Sequence, residues 1–380
     1  MRIAFIGVKD LHSGGGLETY TREVASELAL AGHDVRIYSS DKRNTVYTDK
    51  GHKVINVGLS NLGPFTKPLS SLIAAFLTLF ISTDVIHVQG FGCGLAVWVL
   101  NLFGKNVVVQ GHGIEWLREG RHKLVTHILK INEYLSIKYS THILTVSAKQ
   151  ALDIQKRYKR HATHIHGGIS DIMLDNKSEI KLVQNFTNSD KPYLACISRL
   201  VPEKRIEFIC AAFEEAGCQN LDLVIAGGID SKYSKGIYEA YKENKNIHFL
   251  GYQNKEIVQN LLNFSSAYIN ASTLEGYCLT IVEAMACFSP VVVSNIEENL
   301  EVTHAEKYGI VFTNNQKSEL AKIIRDIDQQ TKSYEEMKEK AIKAQLYVSE
   351  THRWSIVANN LSKYYFGMLR NEQDPAAHCD

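Results

Sequence analysis

Short apolar runs alternate with longer segments of helical periodicity along most of the chain. In the first half, the apolar runs are Ile3–Gly7, Val35–Tyr38, Val54–Val57, Val85–Val88, Asn106–Gln110 and His142–Val146. Nearly continuous apolar runs are typical of strands that are covered on both faces of a parallel sheet. Segments between them, such as Lys123–Tyr139, have the apolar spacing of helices. The pattern therefore predicts repeated βαβ units.

The same alternation begins again in the second half. Its apolar runs are Tyr193–Ile197, Asp222–Ala226, Ile247–Leu250, Ala267–Asn270 and Val291–Ser294. Residues 171–190 between the halves are polar and weakly periodic, as a linker would be. We predict two Rossmann-like, doubly wound α/β domains, residues 1–181 and 182–380, with a last helix that can return to the first domain. Ligands bind at the carboxyl ends of strands in such sheets, so we expect the domains to face each other across a ligand-binding cleft.

Composition narrows the class of protein. With 45% hydrophobic and 22% charged residues, the chain of 380 residues resembles a soluble globular protein and not a disordered or collagen-like one. The longest apolar run, Leu72–Ile81, is shorter than the roughly 20 residues that span a bilayer. The N-terminal residues predict a first strand and no signal peptide. Seven scattered cysteines without a CxxC argue against disulfides and structural zinc, so we expect a cytoplasmic protein.

Charge is balanced overall but not along the chain. A net charge of +1 gives no reason to expect nucleic acid as a partner. Residues 1–181 nevertheless contain 22 basic and 15 acidic residues, whereas the remainder is acidic. This excess fits a solvated surface or peripheral contact with anionic lipid. The basic amphipathic segment 121–138 has a stripe of Leu124, Ile128, Ile131 and Leu135; we expect it to pack on the first sheet, the alternative being a membrane surface.

Three consecutive glycines, Gly14 to Gly16, lie between the first predicted strand and a helix. Bare N–H groups and the helix dipole at such a position can meet a phosphate or a sugar hydroxyl. There is no GxGxxG, and a tight turn would also require glycine. Both interpretations stay open from the residues alone.

The second half contains paired cations and paired carboxylates. Arg199 and Lys204 follow the strand Tyr193–Ile197, and both can reach one diphosphate. Glu275 is in the loop after the strand Ala267–Asn270, and Glu283 falls on the following helix, which begins near Cys278 and Leu279. A carboxylate accepts both hydrogens of a vicinal diol, and helix N-termini attract phosphate. The combination indicates a nucleotide-sugar site.

These residues resemble the retaining glycosyltransferases of family 4, which have the two-domain GT-B fold. The resemblance extends over most of the chain. It rests on Gly15-Gly16-x-Glu18, Gly32-His33-Asp34-Val35, Arg199-x4-Lys204, Glu275-x7-Glu283 and Pro290-Val291-Val292 followed by Glu298. The segment Gly111-His112-Gly113-Ile114-Glu115-Trp116 is similar to a rhamnosyltransferase-like subgroup of bacterial surface-polysaccharide enzymes.

The resemblance implies a role for each matching residue. His112, Arg199, Lys204 and Glu275 would be catalytic. Donor binding would involve Gly15, Gly16, Arg199, Lys204, Glu275, Gly276, Cys278, Leu279 and Glu283. Glu18 and Glu115 would contact the acceptor, although the helix dipole also explains Glu18. The implied partners are a nucleotide-sugar donor and a saccharide or lipid-linked saccharide, with no cofactor and no metal.

The sequence departs from the family pattern at two positions, and three other functions stay open. Family members commonly have glycine where this chain has Cys278 and Phe288, so we expect a differently shaped phosphate-binding turn. His161, His164 and His166 lie in an alternating stretch without a nearby cysteine or acidic ligand, which argues against zinc. The rivals are a GT-B epimerase or phosphorylase, a dinucleotide-dependent oxidoreductase, and a non-catalytic sugar-nucleotide-binding protein.

Overall fold

The structure is a computed structural model that describes residues 1–11, 14–41, 45–59, 63–117, 122–174 and 189–373. It contains two compact units. The first consists of Met1–Gly168 and the C-terminal helix, and the second of Ile169–Arg353. Each has a predominantly parallel sheet with helices, so the predicted class of two Rossmann-like α/β domains is confirmed.

In the first unit, the strands are β1 (Arg2–Val8), β2 (Asp34–Ser39), β3 (Val46–Asp49), β4 (His52–Asn56), β5 (Val85–Gln89), β6 (Val107–Gly111), β7 (His142–Thr145) and β8 (Thr163–His164). The helices are α1 (Gly16–Leu30), α2 (Thr66–Leu79), α3 (Gly94–Leu102), α4 (Lys123–Tyr139) and α5 (Ala148–Tyr158). The strand order is β3-β4-β2-β1-β5-β6-β7-β8, and all pairs are parallel except β3 with β4.

In the second unit, the strands are β9 (Tyr193–Ile197), β10 (Asp222–Ala226), β11 (Ile247–Gly251), β12 (Ala267–Asn270), β13 (Val291–Ser294) and β14 (Ile310–Phe312). The helices are α6 (Ile206–Ala216), α7 (Lys232–Tyr241), α8 (Lys255–Asn263), α9 (Leu279–Ala286), α10 (Glu297–Val302), α11 (Lys317–Asp328) and α12 (Lys332–Thr351). The sheet has the order β11-β10-β9-β12-β13-β14. Because β9, β12 and β13 are neighbours, the loops at their carboxyl ends are brought together.

The units divide earlier than residue 181. The second unit begins at Ile169, which forms a bridge with Arg353 and donates its N–H to the carbonyl of His352 at 2.6 Å. Met173 is buried in the core of this unit. The segment after Gly168 thus belongs to the second core, and residue 181 itself lies outside the described residues.

The C-terminal helix α13 (Trp354–Gln373) belongs to the first unit, where it packs on α1. The hydroxyl of Tyr365 lies 2.5 Å from Nδ1 of His87, a fully buried residue at the centre of β5. Burial lowers the pKa of His87 to about 3, while hydrogen bonding of the ring to Gln110 as acceptor acts in the opposite direction. The imidazole is therefore a neutral part of the core.

The predicted buried stripe of α4 is wrong for two of its four residues, Leu124 and Ile131, while Ile128 and Leu135 are half-buried. Leu124 is 64% exposed and Ile131 is 52% exposed, whereas the buried residues are Asn132, Glu133, Ser136 and Ile137. The cause is a close contact with α3, since a Cβ atom at Gly94 would collide with the backbone of Asn132. Ser136 donates its hydroxyl to the carbonyl of Phe91 at 2.9 Å. Asn132 and Ser136 lie at this approach, while Leu124 and Ile131 face outward.

Within the described ranges, no helix has both the length and the apolar character needed to cross a bilayer. No group of three or more His, Cys, Asp or Glu residues in that part of the chain is arranged to hold a metal ion. The alternating stretch around His164 forms only the two-residue strand β8.

Candidate functional site

A buried ion pair joins two loops of the second unit. Lys204 ends a short 3-10 helix, Pro202–Lys204, that follows β9, and Glu275 lies in the loop after β12. Nζ of Lys204 binds Oε1 of Glu275, and the side chains are only 13% and 9% exposed. The Thr273 N–H donates to the carbonyl of Glu203 at 2.9 Å. This backbone hydrogen bond connects the same two loops.

Both members of this pair are ionised at neutral pH. Burial acts to lower the pKa of Lys204 and is the largest single effect, but the charge of Glu275, its hydrogen bond and the neighbouring Cys278 together outweigh burial, and the pKa is raised. For Glu275, burial acts to raise the pKa, and the charge and hydrogen bonds of Lys204, Ser272 and Asn270 together lower it. The site therefore holds one cation and one anion in contact.

A polar scaffold fixes the Glu275 carboxylate. Ser272 donates to Oε1 of Glu275 at 2.7 Å, and Asn270, at the end of β12, donates to the same oxygen at 3.4 Å. Fully buried Asn299 donates to Oδ1 of Asn270 at 3.3 Å and to the carbonyl of Ser294 at 3.2 Å. The position of the carboxylate is thus set from the ends of β12 and β13.

Helix α9 begins directly beyond this loop. Gly276 precedes it, Cys278 is its N-cap, and Leu279 is its first residue. The Cys278 side chain makes no capping hydrogen bond, so no side chain of the cap residue occupies the N–H groups of the first turn. Glu283 lies one turn further along α9 and is half-buried. The two carboxylates therefore lie on one continuous segment, with Glu275 in the loop after β12 and Glu283 on the helix that follows it.

The Cys278 departure does not strain the backbone. Its φ of −79° and ψ of 94° suit any L-residue, so the expected change in the shape of the turn does not follow from this substitution. Its thiol is buried, which raises the pKa to about 12 and keeps the sulfur protonated. Sγ lies 3.3 Å from Nδ2 of Asn270, so Cys278 joins the scaffold behind Glu275.

Phe288 is different, because its φ of 57° is in the left-handed region. It is the residue after the C-cap of α9, where the Ser289 N–H donates to the carbonyl of Ala284 at 3.0 Å and the Phe288 N–H to that of Met285 at 3.3 Å. This is a Schellman motif, in which glycine is the favoured residue. The departure from glycine therefore costs conformational energy here.

Arg199 is exposed and follows β9 by two residues. Its charge acts to lower the pKa of Lys204, which places the two cations within electrostatic range. The structure thus brings Lys204 and Glu275 into contact and places Arg199 between β9 and the short helix that ends at Lys204.

A second polar cluster lies at the carboxyl ends of β5 and β6 in the first unit. His112 follows β6, and its Nε2 lies 2.5 Å from Oε1 of Gln89, the last residue of β5. Since an amide oxygen only accepts, Nε2 donates. Burial, reinforced by the charge of Lys67, lowers the pKa of His112 to about 3. The neutral ring therefore offers Nδ1 as an acceptor for a hydroxyl.

Glu115 begins a 3-10 helix just after His112 and forms an ion pair with Lys67 on α2, with Nζ and Oε1 3.2 Å apart. Burial acts to lower the pKa of Lys67, and the charges of Glu115, Cys93 and Glu18 together raise it. Room for the ammonium group comes from Gly90, where an added Cβ atom would lie 2.5 Å from Nζ. This cluster holds a charged lysine in the interior.

The carboxylate of Glu18 lies against the glycine turn that precedes α1. Gly15 is the N-cap of α1 and Gly16 its first residue, and a Cβ atom at Gly15 would collide with Oε2 of Glu18. The Glu18 carboxylate therefore folds back over the N-terminus of α1, where the helix dipole favours an anion. A phosphate at this turn would meet a like charge.

Sequence reasoning missed several residues of these clusters, namely Lys67, Gln89, Asn270, Ser272 and Asn299. Features of the sequence could have identified three of them, Lys67, Asn270 and Ser272. Lys67 is the single charged residue between Lys53 and Asp84. Asn270 ends an otherwise apolar strand, and Ser272 lies within the Glu275 loop.

Two family models match the chain. Residues 14–171 match Glycosyltransferase Family 4, and residues 177–344 match Glycosyl transferases group 1. Among curated relatives, the chain is 24% identical over 325 residues to an uncharacterised glycosyltransferase of Methanocaldococcus jannaschii, covering 78% of this chain and 80% of that protein. It is also 24% identical over 262 residues to a probable sucrose-phosphate synthase of Thermosipho melanesiensis, covering 63% of this chain and 56% of that one.

Solved structures share the fold at lower identity. A sucrose-phosphate synthase of Thermosynechococcus elongatus superimposes with a TM-score of 0.82 at 18% identity, covering 97% of this chain and 99% of that one. HepE of Anabaena, in complex with UDP-glucose, gives a TM-score of 0.78 at 17% identity, covering 97% and 100%. With the two family matches, this similarity identifies the chain as a family 4-type glycosyltransferase with the GT-B fold.

Proposed function

We propose that this protein transfers a sugar from a nucleoside diphosphate sugar to an acceptor hydroxyl, with retention of configuration at the anomeric carbon. The observation that carries the proposal is the contact of Lys204 with Glu275, with Arg199 near by and the N-terminus of α9 beyond the loop. This set supplies positive charge for a diphosphate and a carboxylate for sugar hydroxyls. The complex of HepE with UDP-glucose makes UDP-glucose the first donor to test.

Each group has a defined part in donor binding. Arg199, Lys204 and the N–H groups around Gly276 and Leu279 bind the diphosphate, for which both charge and helix dipole are favourable. Glu275 accepts from hydroxyls of the donor sugar while it retains its bond to Lys204. Glu283 accepts both hydroxyls of the ribose. Cys278 remains a neutral scaffold residue.

The same groups stabilise the transition state. As the bond between the anomeric carbon and the phosphate oxygen breaks, negative charge develops on the diphosphate, and Arg199 and Lys204 are charged at neutral pH to meet it. The acceptor oxygen bonds to the anomeric carbon on the same face, and its proton passes to the departing phosphate oxygen. Removal of one preorganised donor of this kind costs about 3 kcal/mol, or roughly 10²- to 10³-fold in rate.

The polar cluster of the first unit binds sugar hydroxyls. Nδ1 of His112 accepts from a hydroxyl because Nε2 is committed to Gln89. Glu115, held by Lys67, and Glu18 contact the acceptor. The turn at Gly15 and Gly16 meets a hydroxyl and not a phosphate, since the Glu18 carboxylate would repel a phosphate. The acceptor is a saccharide or a lipid-linked saccharide of cell-surface polysaccharide or glycolipid biosynthesis.

Nucleotide binding is the first test. The protein is heated alone and with UDP, GDP, dTDP or ADP, and one nucleotide should raise the unfolding temperature above the others. A ligand at about 100 times its dissociation constant stabilises the folded state by about 2.7 kcal/mol. A uniform absence of stabilisation by all four would overturn the proposal.

The second test measures transfer with the nucleotide sugar selected in this way. Glu283→Gln should reduce kcat/KM by about 10- to 100-fold, because a hydrogen bond to a charged group contributes about 1.5–3 kcal/mol. Glu239→Gln, an exposed glutamate on α7 of the same unit, is the matched control. The anomeric configuration of the first product tests retention by NMR. Formation of an epimerised donor or a sugar phosphate in place of a glycoside would identify the rival GT-B reactions.

A further inference from the structure

Helix α2 has its large apolar side chains on the outside. The residues that it buries are small or polar, namely Thr66, Lys67, Ser70, Ser71, Ala74, Ala75 and Thr78. Its exposed face carries Leu69, Ile73, Phe76 and Leu77, and Phe80 directly after the helix is 88% exposed. This arrangement is the reverse of an ordinary surface helix, in which the large apolar residues face the core.

The exposed apolar stripe continues on the neighbouring helix. Helix α3 packs against α2, and it exposes Leu95, Trp98 and Leu102, followed by Phe103. We call the combined surface of these nine side chains on and after α2 and α3 the apolar face. Isolated apolar residues on a surface are common, but a contiguous set of this size marks a surface that another body covers.

Lysines border the apolar face. Helix α4 packs against α3, and its exposed residues include Lys123, Lys130 and Lys138, with exposed Leu124, Ile131 and Tyr134 between them. Three carboxylates that are close to these helices in the sequence each form an ion pair with another residue. Asp84 pairs with Arg2, Glu115 with Lys67, and Glu133 with Arg157. The helix that flanks the apolar face on the side of α3 therefore exposes positive charge.

We infer that the apolar face inserts into the surface of a bilayer that contains anionic lipid. Phe76, Phe80 and Trp98 enter the boundary between headgroups and acyl chains, and the lysines of α4 lie at the level of the anionic headgroups. A second copy of the chain fits less well, because in a symmetric contact through this face it would offer the lysines apolar side chains and further lysines, whereas anionic lipid supplies the opposite charge. The inference concerns a surface that has no part in the proposed transfer reaction.

Co-sedimentation with lipid vesicles tests this inference in the absence of donor and acceptor, so it is independent of catalytic activity. The full chain is mixed with vesicles of phosphatidylcholine, with or without phosphatidylglycerol. We expect binding to the anionic vesicles that weakens as salt is added, since exposed charges are screened. The Trp98 emission should be quenched by brominated acyl chains, and a Trp98→Phe variant should lose this quenching.

Two sets of variants assign the binding to the face. Phe76→Ser with Phe80→Ser should lower the vesicle association constant by about tenfold or more, because burial of apolar groups drives insertion. The control, Leu30→Ser with Val46→Ser, removes two exposed apolar side chains elsewhere in the first unit and should bind like the wild type. Lys123→Gln, Lys130→Gln and Lys138→Gln together should remove the preference for anionic vesicles.

Three outcomes would overturn the inference. The first is that the wild type fails to bind any vesicle, and the second is that the control pair loses as much binding as the Phe76 and Phe80 pair. The third is found by sedimentation velocity, if the wild type is a dimer that the Phe76 and Phe80 substitutions convert into a monomer. That result would assign the apolar face to a second copy of the chain.

Discussion

The ammonium nitrogen of Lys67 lies 3.2 Å from Oε1 of Glu115, and this ion pair sets the charge environment of His112. Burial is the largest cause of the depressed pKa of His112. The charge of Lys67 lowers that pKa further, while that of Glu115 raises it. A lysine on α2 thus adds to the effect of burial on the protonation state of a candidate catalytic histidine in the loop after β6.

Lys67→Met should therefore raise the pKa of His112, and Glu115→Gln should lower it. The measurement is a titration of the histidine ring signals by NMR, with His112 assigned by its loss in a His112→Gln variant. Lys105→Met, which removes a lysine elsewhere in the same unit, is the control for the loss of one positive charge. An unchanged or lower His112 pKa in Lys67→Met would contradict the geometry of this cluster.

The buried pair of Lys204 and Glu275 should show strong coupling in a double-mutant cycle. Lys204→Met or Glu275→Gln alone leaves one buried group without its partner, and breaking such a pair costs about 3–5 kcal/mol in the free energy of unfolding. The double variant should cost less than the sum of the two. Urea denaturation measures all four proteins. For comparison, the exposed pair of Lys242 and Glu239 should give a coupling of about 0–1 kcal/mol.

Acid should destabilise the first unit through His87 and His112. Both have folded-state pKa values of about 3, whereas an unfolded histidine titrates near 6.5. Between these values the unfolded chain binds more protons, so stability is fully present above about pH 6.5 and falls as the pH drops. Each histidine contributes a slope of up to about 1.4 kcal/mol per pH unit.

His87→Phe removes one of these titrating groups. The dependence of unfolding free energy on pH between about 7 and 5 should therefore be shallower in this variant, whatever its stability at neutral pH. Chemical denaturation at several pH values gives the slope. Equal slopes in the variant and the wild type would show that His87 is not a neutral core residue.

Phe288 should be replaceable by glycine at no cost. Its φ of 57° is unfavourable for a residue with a Cβ atom, and its side chain is 44% exposed, so little packing is lost. Phe288→Ala loses the same ring but keeps the backbone penalty. We expect Phe288→Gly to be more stable than Phe288→Ala by about 1 kcal/mol in thermal unfolding. Greater stability of the alanine variant would contradict the left-handed conformation.

The sequence by itself determined the framework of each unit. Buried parallel strands require nearly continuous apolar runs, and runs such as Tyr193–Ile197 and Asp222–Ala226 coincide with β9 and β10. The ends of the strands can also be recognised in the sequence, because polar residues follow each apolar run. This is why Arg199, Lys204 and Glu275 could be placed in the loops after β9 and β12 from the sequence alone.

Tertiary structure decided what those residues contact. Spacing gave no reason to pair Lys204 with Glu275, since they are 71 positions apart and meet because β9 and β12 are neighbours in the sheet. The tertiary structure likewise brought Lys67 of α2 into contact with Glu115. The stripe of α4 was misassigned because periodicity identifies an apolar face without saying where it points. At the close approach of Gly94 to Asn132, Leu135 of that stripe lies against α3 whereas Leu124 and Ile131 face outward, and only packing of the whole unit could reveal it.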